Sequence, residues 1–405
     1  MEYYNRILEK RIKEITKQFP VLLLTGPRQV GKTTLLRHIC EAERTYVSLD
    51  DLSLRELARE DPALFLKQYK PPVLIDEIQY APELFPYIKI NVDRDQKNGA
   101  YWLTGSQQYQ MMKGISETLA GRVAILKLLG FSEREKRRNI SGAKPFLPSE
   151  DYLKQYYSNV DIADLYESIW RGSFPRLVTD PNLEVSVFYN SLLQTYLQRD
   201  VRDLSQVGNL EQFTRFVKAC AARTGQLLNY SELARDVDIS VMTAKNWLSI
   251  LIASFQVILL PPYHTNITKR LIKTPKLYFL DTGLCAYLTG WTSPETIRNG
   301  AMNGAFVETY AITEILKSWW FEAGEVPMYY YRDKDGVEID LLIEKDGFVY
   351  PVEIKSAASI KRLWAKGFRT LDRLKLQRGF GAVVCLADKA QPIEEKVIAI
   401  PITAI

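Results

Sequence analysis

Residues 21–33 read Val-Leu-Leu-Leu-Thr-Gly-Pro-Arg-Gln-Val-Gly-Lys-Thr. A short apolar run suited to a buried strand passes directly into a turn with the spacing GxxxxGK[ST], met by Gly26, Gly31, Lys32 and Thr33. The glycines let successive backbone N–H groups turn inward around a phosphate, and the start of the following helix adds a favourable dipole. Lys32 brings a positive charge to the β- and γ-phosphates, and Thr33 offers a hydroxyl to Mg²⁺. The loop residues Gly26, Pro27, Arg28, Gln29, Val30, Gly31, Lys32 and Thr33, with Thr34, are therefore expected to hold ATP.

Moving outward, further strands are expected over 45–49, 72–75, 100–103 and 123–129, with helices over 33–40 and 84–95. A leading amphipathic helix falls within residues 1–20. Strands alternating with helices predict an α/β fold with a parallel sheet covered on both faces. The stretch Val73-Leu74-Ile75-Asp76-Glu77 is an apolar strand ending in an acid pair. Asp76 is thereby placed beside the metal, and Glu77 where it can polarise an attacking water. Residues 101–106, Tyr-Trp-Leu-Thr-Gly-Ser, form another strand with a polar tip. Ser106, or less readily Gln107, is positioned to sense the γ-phosphate. The alternative is an ordinary strand-to-loop transition.

Composition bounds the rest. At 405 residues the chain is too long for one core, so two to four domains are expected. The net charge of +5 does not by itself argue for nucleic acid. No stretch approaches the ~20 apolar residues of a membrane span, and no N-terminal signal pattern is visible, so a cytoplasmic protein is expected. The four cysteines are scattered without a CxxC pair, and there are only two histidines. Metal chemistry would lean on carboxylates, which favours Mg²⁺ or Mn²⁺.

After residue 140 the character changes to helices, over 162–171 and 183–202. Residues 226–262 then read as two short helices around a tight turn, capped by Ser231 and Ser240 and followed by a strand, which fits a winged helix-turn-helix. Thr243, Lys245, Asn246 and Ser249 fall on its exposed side. Lys269, Arg270, Lys273 and Lys276 follow without an intervening acid, as in a wing that touches phosphates. Such modules serve either DNA contact or protein packing, and both remain open here.

A second α/β unit begins near residue 301, with a helix over 305–319, strands over 328–332, 338–343 and 349–354, a helix over 360–375, and strands over 381–386 and 396–402. Glu308 lies on the first helix and Asp340 in a strand, while strand alternation puts Glu353 and Lys355 on one face. In the later helix, Arg362, Lys366, Arg369 and Arg373 form a basic stripe opposite Trp364, Phe368 and Leu371. The stripe is either a nucleic-acid surface or a solvated face.

The phosphate loop together with "LIDEIQ", "LTGSQ", "LAGR", "LQRD" and "VEIKS" resembles the AAA-type P-loop ATPases that carry a C-terminal domain of uncharacterised function. That resemblance spans nearly the whole chain. It implies an AAA-type ATPase domain over 1–140, a helical lid over 141–205, a winged helix over 206–280 and a C-terminal domain over 281–405. It makes Arg122 an arginine-finger candidate across a subunit interface, in a homo-oligomeric ring, with a surface salt bridge as the alternative. Arg176 and Arg199 fall where lid arginines would. The order helix-Glu, strand-Asp, Glu-x-Lys resembles the restriction-endonuclease-like (PD-(D/E)XK) superfamily. By that resemblance Asp340 and Glu353 hold Mg²⁺, Glu308 supports the metal or its water, and Lys355 orients the nucleophile. The implied protein is an Mg²⁺-dependent ATPase coupling nucleotide state to DNA binding or DNA cleavage. The alternative is a regulatory switch whose C-terminal half binds DNA or a protein without cutting.

Overall fold

In the computed structural model, which describes residues 2–106, 115, 118–154, 161–196, 209–264, 274–321, 326–374 and 376–405, five strands form one parallel sheet. They are β1 (Val21–Thr25), β2 (Thr45–Ser48), β3 (Val73–Asp76), β4 (Tyr101–Gly105) and β5 (Val123–Lys127). Their order is β2-β3-β4-β1-β5, all pairs being parallel. Every residue of β1, β3 and β4 is buried, because both sheet faces are covered; this is why these strands read as unbroken apolar runs. Leu22, Leu24, Leu74 and Trp102 pack on one face, and Val21, Leu23, Val73, Ile75, Tyr101 and Leu103 on the other.

The covering helices are α1 (Leu8–Thr16), α2 (Lys32–Ile39), α3 (Leu52–Glu60), α4 (Pro62–Gln68) and α5 (Leu84–Asp95). The pair α3 and α4 is not among the elements expected from the sequence. Their starts are set by side-chain caps, Asp51 and Asp61, that accept first-turn N–H groups. Since β4 lies between β1 and β3, the phosphate loop, the tip of β4 and the acid pair share one edge of the sheet.

Beyond the sheet come α6 (Glu133–Lys136), α7 (Ile162–Arg171), α8 (Pro175–Thr179), α9 (Val185–Tyr196) and α10 (Leu210–Ala221). Next are β6 (Gln226–Leu227), α11 (Tyr230–Val237), α12 (Val241–Ala253), β7 (Val257–Leu260) and β8 (Lys276–Phe279). Ser240 caps α12 through the Thr243 N–H, as expected. The α11 cap is instead Asn229, whose Oδ1 takes the N–H groups of Ser231 and Glu232. Ser231 therefore lies inside the first turn. Strands β6, β8 and β7 form a small antiparallel sheet with β8 at its centre. Lys276 is not an exposed wing residue, since it is buried in β8. Gln107, Arg199, Lys269, Arg270 and Lys273 lie outside the described residues.

The C-terminal part holds α13 (Thr282–Thr289), α14 (Pro294–Asn299) and the long α15 (Asn303–Trp320). Its mixed sheet has the order β13-β14-β12-β11-β10-β9, from β9 (Met328–Arg332), β10 (Glu338–Lys345), β11 (Phe348–Lys355), β12 (Gly381–Cys385), β13 (Gln391–Glu394) and β14 (Val397–Pro401). The helix expected over 360–375 is a 3₁₀ segment, Arg362–Phe368, that continues as the short α16 (Arg369–Arg373). Gly367, a poor helix former, sits in its middle against the Glu338 carbonyl. Its facing still follows the sequence pattern: Arg362, Lys366, Arg369 and Arg373 are exposed, while Phe368 and Leu371 are buried.

Candidate functional site

Two conformational demands shape the phosphate loop. Gly26 has φ +152°, and a Cβ there would stand 2.0 Å from the Leu128 carbonyl oxygen. Gly31 has φ +89° with open space around it, so its requirement is conformational alone. Lys32 is buried and its ammonium donates to the carbonyls of Gly26 (3.0 Å) and Pro27 (2.7 Å), curled over its own loop. Thr33 Oγ1 donates to Asp76 Oδ1 at 2.9 Å and lies 3.0 Å from Oδ2. Asp76 also accepts from Tyr46 OH at 3.1 Å and from Thr104 Oγ1. The donor set at Thr33 and Asp76 is all oxygen, which suits Mg²⁺.

Glu77 follows with φ +57°, a left-handed turn that swings its carboxylate off the line of β3. Burial pushes its carboxyl above the usual range, against the pull of Gln79, which donates to it, and of Lys32. Ser106 ends the neighbouring strand. Its hydroxyl is buried and has no hydrogen-bond partner among the described residues. It borders a small cavity with Pro27, Arg28 and residues of α9. A buried hydroxyl beside a phosphate loop is a donor that a bound phosphate oxygen would satisfy.

Arg122 lies elsewhere. Its carbonyl accepts from Val21 N–H at 3.2 Å, where β5 and β1 both begin, so it stands at the sheet edge opposite the phosphate loop. Its guanidinium pairs with Asp93, Nη2 to Oδ2 at 3.0 Å. A role at this chain's own phosphate loop is thereby excluded. Arg176 is exposed on α8.

A buried ionic chain connects the loop to the C-terminal part, and sequence reasoning did not find it. Arg6 donates to Val30 O (3.1 Å) in the phosphate loop, to Leu129 O (2.8 Å) and to Glu135 Oε1 (3.0 Å). Glu135 closes the capping box of α6 with Ser132. The Glu133 N–H donates to Glu314 on α15 at 2.8 Å, and Tyr310 OH donates back to Glu133 at 3.1 Å. Lys317 donates to Glu314 (2.7 Å) and to Phe131 O (2.9 Å). The same α15 carries Glu308.

Asp340, Glu353 and Lys355 come together on the adjacent strands β10 and β11, and Glu308 on α15 is near enough for its charge to interact with that of Asp340. The β9–β10 register shifts between Ile339 and Leu342, and this irregularity falls on Asp340; such bulges re-aim a side chain. Asp340 Oδ2 accepts the Ile354 N–H at 2.8 Å and lies 3.6 Å from Lys355 Nζ. Lys355 Nζ is 2.5 Å from Glu353 Oε1. Glu308 Oε1 takes Tyr278 OH (2.5 Å) and Lys276 Nζ (3.2 Å), and Lys276 also reaches Glu338 (2.6 Å). Burial and the Asp340 charge raise the Glu353 carboxyl to about 8, against Lys355, and the same two causes raise Glu308. Among the described residues no three His, Cys, Asp or Glu side chains are grouped to hold a metal ion. The expected Mg²⁺ cage of Glu308, Asp340 and Glu353 is therefore not formed. Two lysines balance these acids instead, and Lys276 and Tyr278 carry no sequence motif that would have marked them.

Comparison with known proteins divides the chain similarly. A family model described as "AAA domain" matches residues 18–136, one described as "Domain of unknown function (DUF8612)" matches 162–295, and "Domain of unknown function (DUF4143)" matches 303–405. Uncharacterized protein Rv2008c of Mycobacterium tuberculosis is 30% identical over 397 residues, covering 96% of this chain and 82% of that protein. Uncharacterized protein MJ1637 of Methanocaldococcus jannaschii is 26% identical over 309 residues, covering 69% and 63%. Among solved structures, the Thermotoga maritima RuvB Holliday junction branch migration motor is similar at 18% identity and TM-score 0.32, over 64% of this chain and 90% of that one. The STAND protein PH0952 of Pyrococcus horikoshii is similar at 12% identity and TM-score 0.27, over 80% and 48%.

Proposed function

This chain belongs to the same family as the uncharacterized mycobacterial protein Rv2008c, with an AAA-type P-loop ATPase domain at its start, and we propose that its nucleotide state controls a nuclease-like C-terminal half that acts on DNA. The observation that carries the ATPase half is the contact of Thr33, in the first turn of α2, with Asp76, at the end of β3, next to the Ser106 hydroxyl that follows β4 and has no partner among the described residues. In this proposal the backbone of residues 26–34 wraps the phosphates. Lys32 leaves the Gly26 and Pro27 carbonyls for phosphate oxygens, and Ser106 donates to the γ-phosphate. Thr33 and Asp76 would hold Mg²⁺, which neutralises phosphate charge. Glu77, its proton affinity raised by burial, takes a proton from the attacking water. Arg122, on the far edge of the sheet, suits contact with a neighbouring copy's nucleotide in a ring.

For the second half, the exposed Lys245, Asn246 and Ser249 of α12, with the half-buried Thr243, and the exposed basic residues Arg362, Lys366 and Arg373 support DNA contact. We assign 1–140 to the ATPase, 141–205 to a helical lid, 206–280 to a winged helix and 281–405 to a restriction-endonuclease-like domain. A second reading, DNA or protein binding without cleavage, is favoured by one observation: the acids are matched by lysines rather than grouped for a metal. Plasmid and branched DNA incubated with Mg²⁺ and ATP separate the two. Cleavage that disappears in Lys355→Ala supports a nuclease. DNA retention without cleavage supports the second reading. ATP turnover surviving Lys32→Ala would sink the ATPase half.

A further inference from the structure

Between α6 and the C-terminal part runs a cleft of about 1210 Å³, lined among the described residues by none from the phosphate loop or the acid site. One wall is α6 with the segment that follows it, which brings Arg134, Arg137, Lys144 and Tyr152. The other is Trp319 near the end of α15, Lys345 at the end of β10, and residues 403–405. The volume exceeds the ~300–1,000 Å³ usual for a single small ligand.

The charges in this cleft do not cancel. Of its acidic side chains, Glu133 already stands between Arg137 (2.9 Å) and Lys136 (3.4 Å), and Asp151 lies 3.8 Å from Lys154. Arg134, Lys144 and Lys345 have no ion pair among the described residues. The Ile405 carboxylate is the remaining negative group of the lining to set against those three cations. Trp319 is pinned beside them: its Nε1 donates to the Phe146 carbonyl at 3.0 Å, and Lys345 Nζ stands 5.8 Å from its ring centroid. The residue is only half-buried. A fixed indole next to unmatched cations supplies what a nucleic acid strand needs, a platform for a base and counter-charges for its phosphates. An acidic peptide would use the cations but offers the indole no base to stack.

We propose that this cleft binds single-stranded nucleic acid, with a base on Trp319 and phosphates on Arg134, Lys144 and Lys345. The site is separate from the DNA contacts read at α12 and at residues 362–373, and it stands whether or not those hold. Because Glu133 and Arg137 line the cleft, a bound strand lies against the joint between α6 and α15.

The test is fluorescence anisotropy of the full chain with a fluorescein-labelled oligodeoxythymidylate of about ten nucleotides. Lys144 and Lys345 are both exposed, so replacing them leaves the core intact. Lys144→Ser with Lys345→Ser is expected to weaken binding about tenfold at low salt. It should also make the fall of log K with log salt shallower by about 1.4, at ~0.7 per lost phosphate contact. Arg362→Ser with Lys366→Ser, on the other basic surface, should change binding of this strand by less than about twofold. No binding by wild type, or equal losses in the two double variants, overturns the proposal. Displacement by AMP as readily as by the unlabelled strand shows a mononucleotide site and overturns the strand. Charge removal also acts at a distance, so a contact readout on wild type accompanies it. A strand carrying 5-iododeoxyuridine should photo-cross-link to Trp319 or Tyr152. Cross-links confined to α12 or to residues 362–373 overturn the assignment.

Discussion

The Arg6 guanidinium donates to the carbonyl oxygen of Val30 at 3.1 Å while its Nε lies 3.0 Å from Glu135, with both charged side chains almost wholly buried. One cation thus fixes the backbone of the phosphate loop to the cap of α6. Arg6→Ala leaves the Glu135 carboxylate buried and unpaired, at an expected cost of about 3–5 kcal/mol. Lys in its place keeps a charge but lacks the planar fork, and should fall between the two. Thermal unfolding of both variants checks the order. A wild-type-like midpoint for Arg6→Ala would falsify it.

Loss of the loop cation and loss of the general base should separate kinetically. Lys32→Ala is expected to weaken ATP binding and turnover together. Glu77→Gln should keep binding but cut turnover by about 10²-fold or more. Fluorescent-nucleotide titration beside phosphate release distinguishes them, and parallel losses of binding in both would count against the role given to Glu77.

The two loop glycines should respond differently to alanine. At Gly26 the added Cβ meets the Leu128 carbonyl oxygen at 2.0 Å, so the backbone has to move and nucleotide binding should collapse. At Gly31 nothing lies within 4 Å, and only the left-handed backbone is penalised, by about 1–2 kcal/mol. Binding constants and unfolding midpoints of the two variants test the contrast. Equal effects would contradict it.

Acid should weaken the joint between α6 and α15. Although burial raises the Glu133 carboxyl, Lys136 and Arg137 more than reverse this and hold it at about 2. A depressed carboxylate stabilises the fold fully above its unfolded value of 4.5, and the contribution is lost as pH falls toward 2. The amount at neutral pH is on the order of 3 kcal/mol. Wild type should exceed Glu133→Gln in midpoint at pH 7, with the difference shrinking between pH 4.5 and 2. A pH-independent difference would disprove the assignment.

Among the described residues Arg122 pairs with an exposed aspartate, Asp93, and with its own loop. Arg122→Ala should leave the unfolding midpoint nearly unchanged. Where rings form, turnover per chain rises with protein concentration in wild type, and this rise should vanish in the variant. Concentration-independent wild-type turnover would count against a shared site.

The ATPase sheet was legible because its central strands are apolar without interruption and its chemistry sits at strand ends, where local spacing fixes position. Asp76 and Thr33 could be paired from sequence for that reason. Tyr46 and Thr104, which also hold Asp76, lie on flanking strands and depend on sheet order. The acid site was only half readable: Glu353 and Lys355 follow strand alternation, but Lys276 arrives from 77 residues before Glu353 along the chain, through a tertiary contact without a motif. The residues 362–373 kept the expected facing but not the expected helix, because facing follows hydrophobic spacing whereas helix type depends on Gly367 and its neighbour Glu338.

The helix α15 is anchored at Lys317 by the Phe131 carbonyl and bears Glu308 nine residues earlier. Those positions are separated by ~14 Å along the helix axis. With the anchored end as pivot, this arm turns a tilt of ~10° into a sweep of ~2 Å at Glu308, by the same rise per residue. That is enough to take a carboxylate out of a hydrogen bond. A tilt imparted at the α6 joint would thereby be enlarged, by leverage alone, at the far end of the rod.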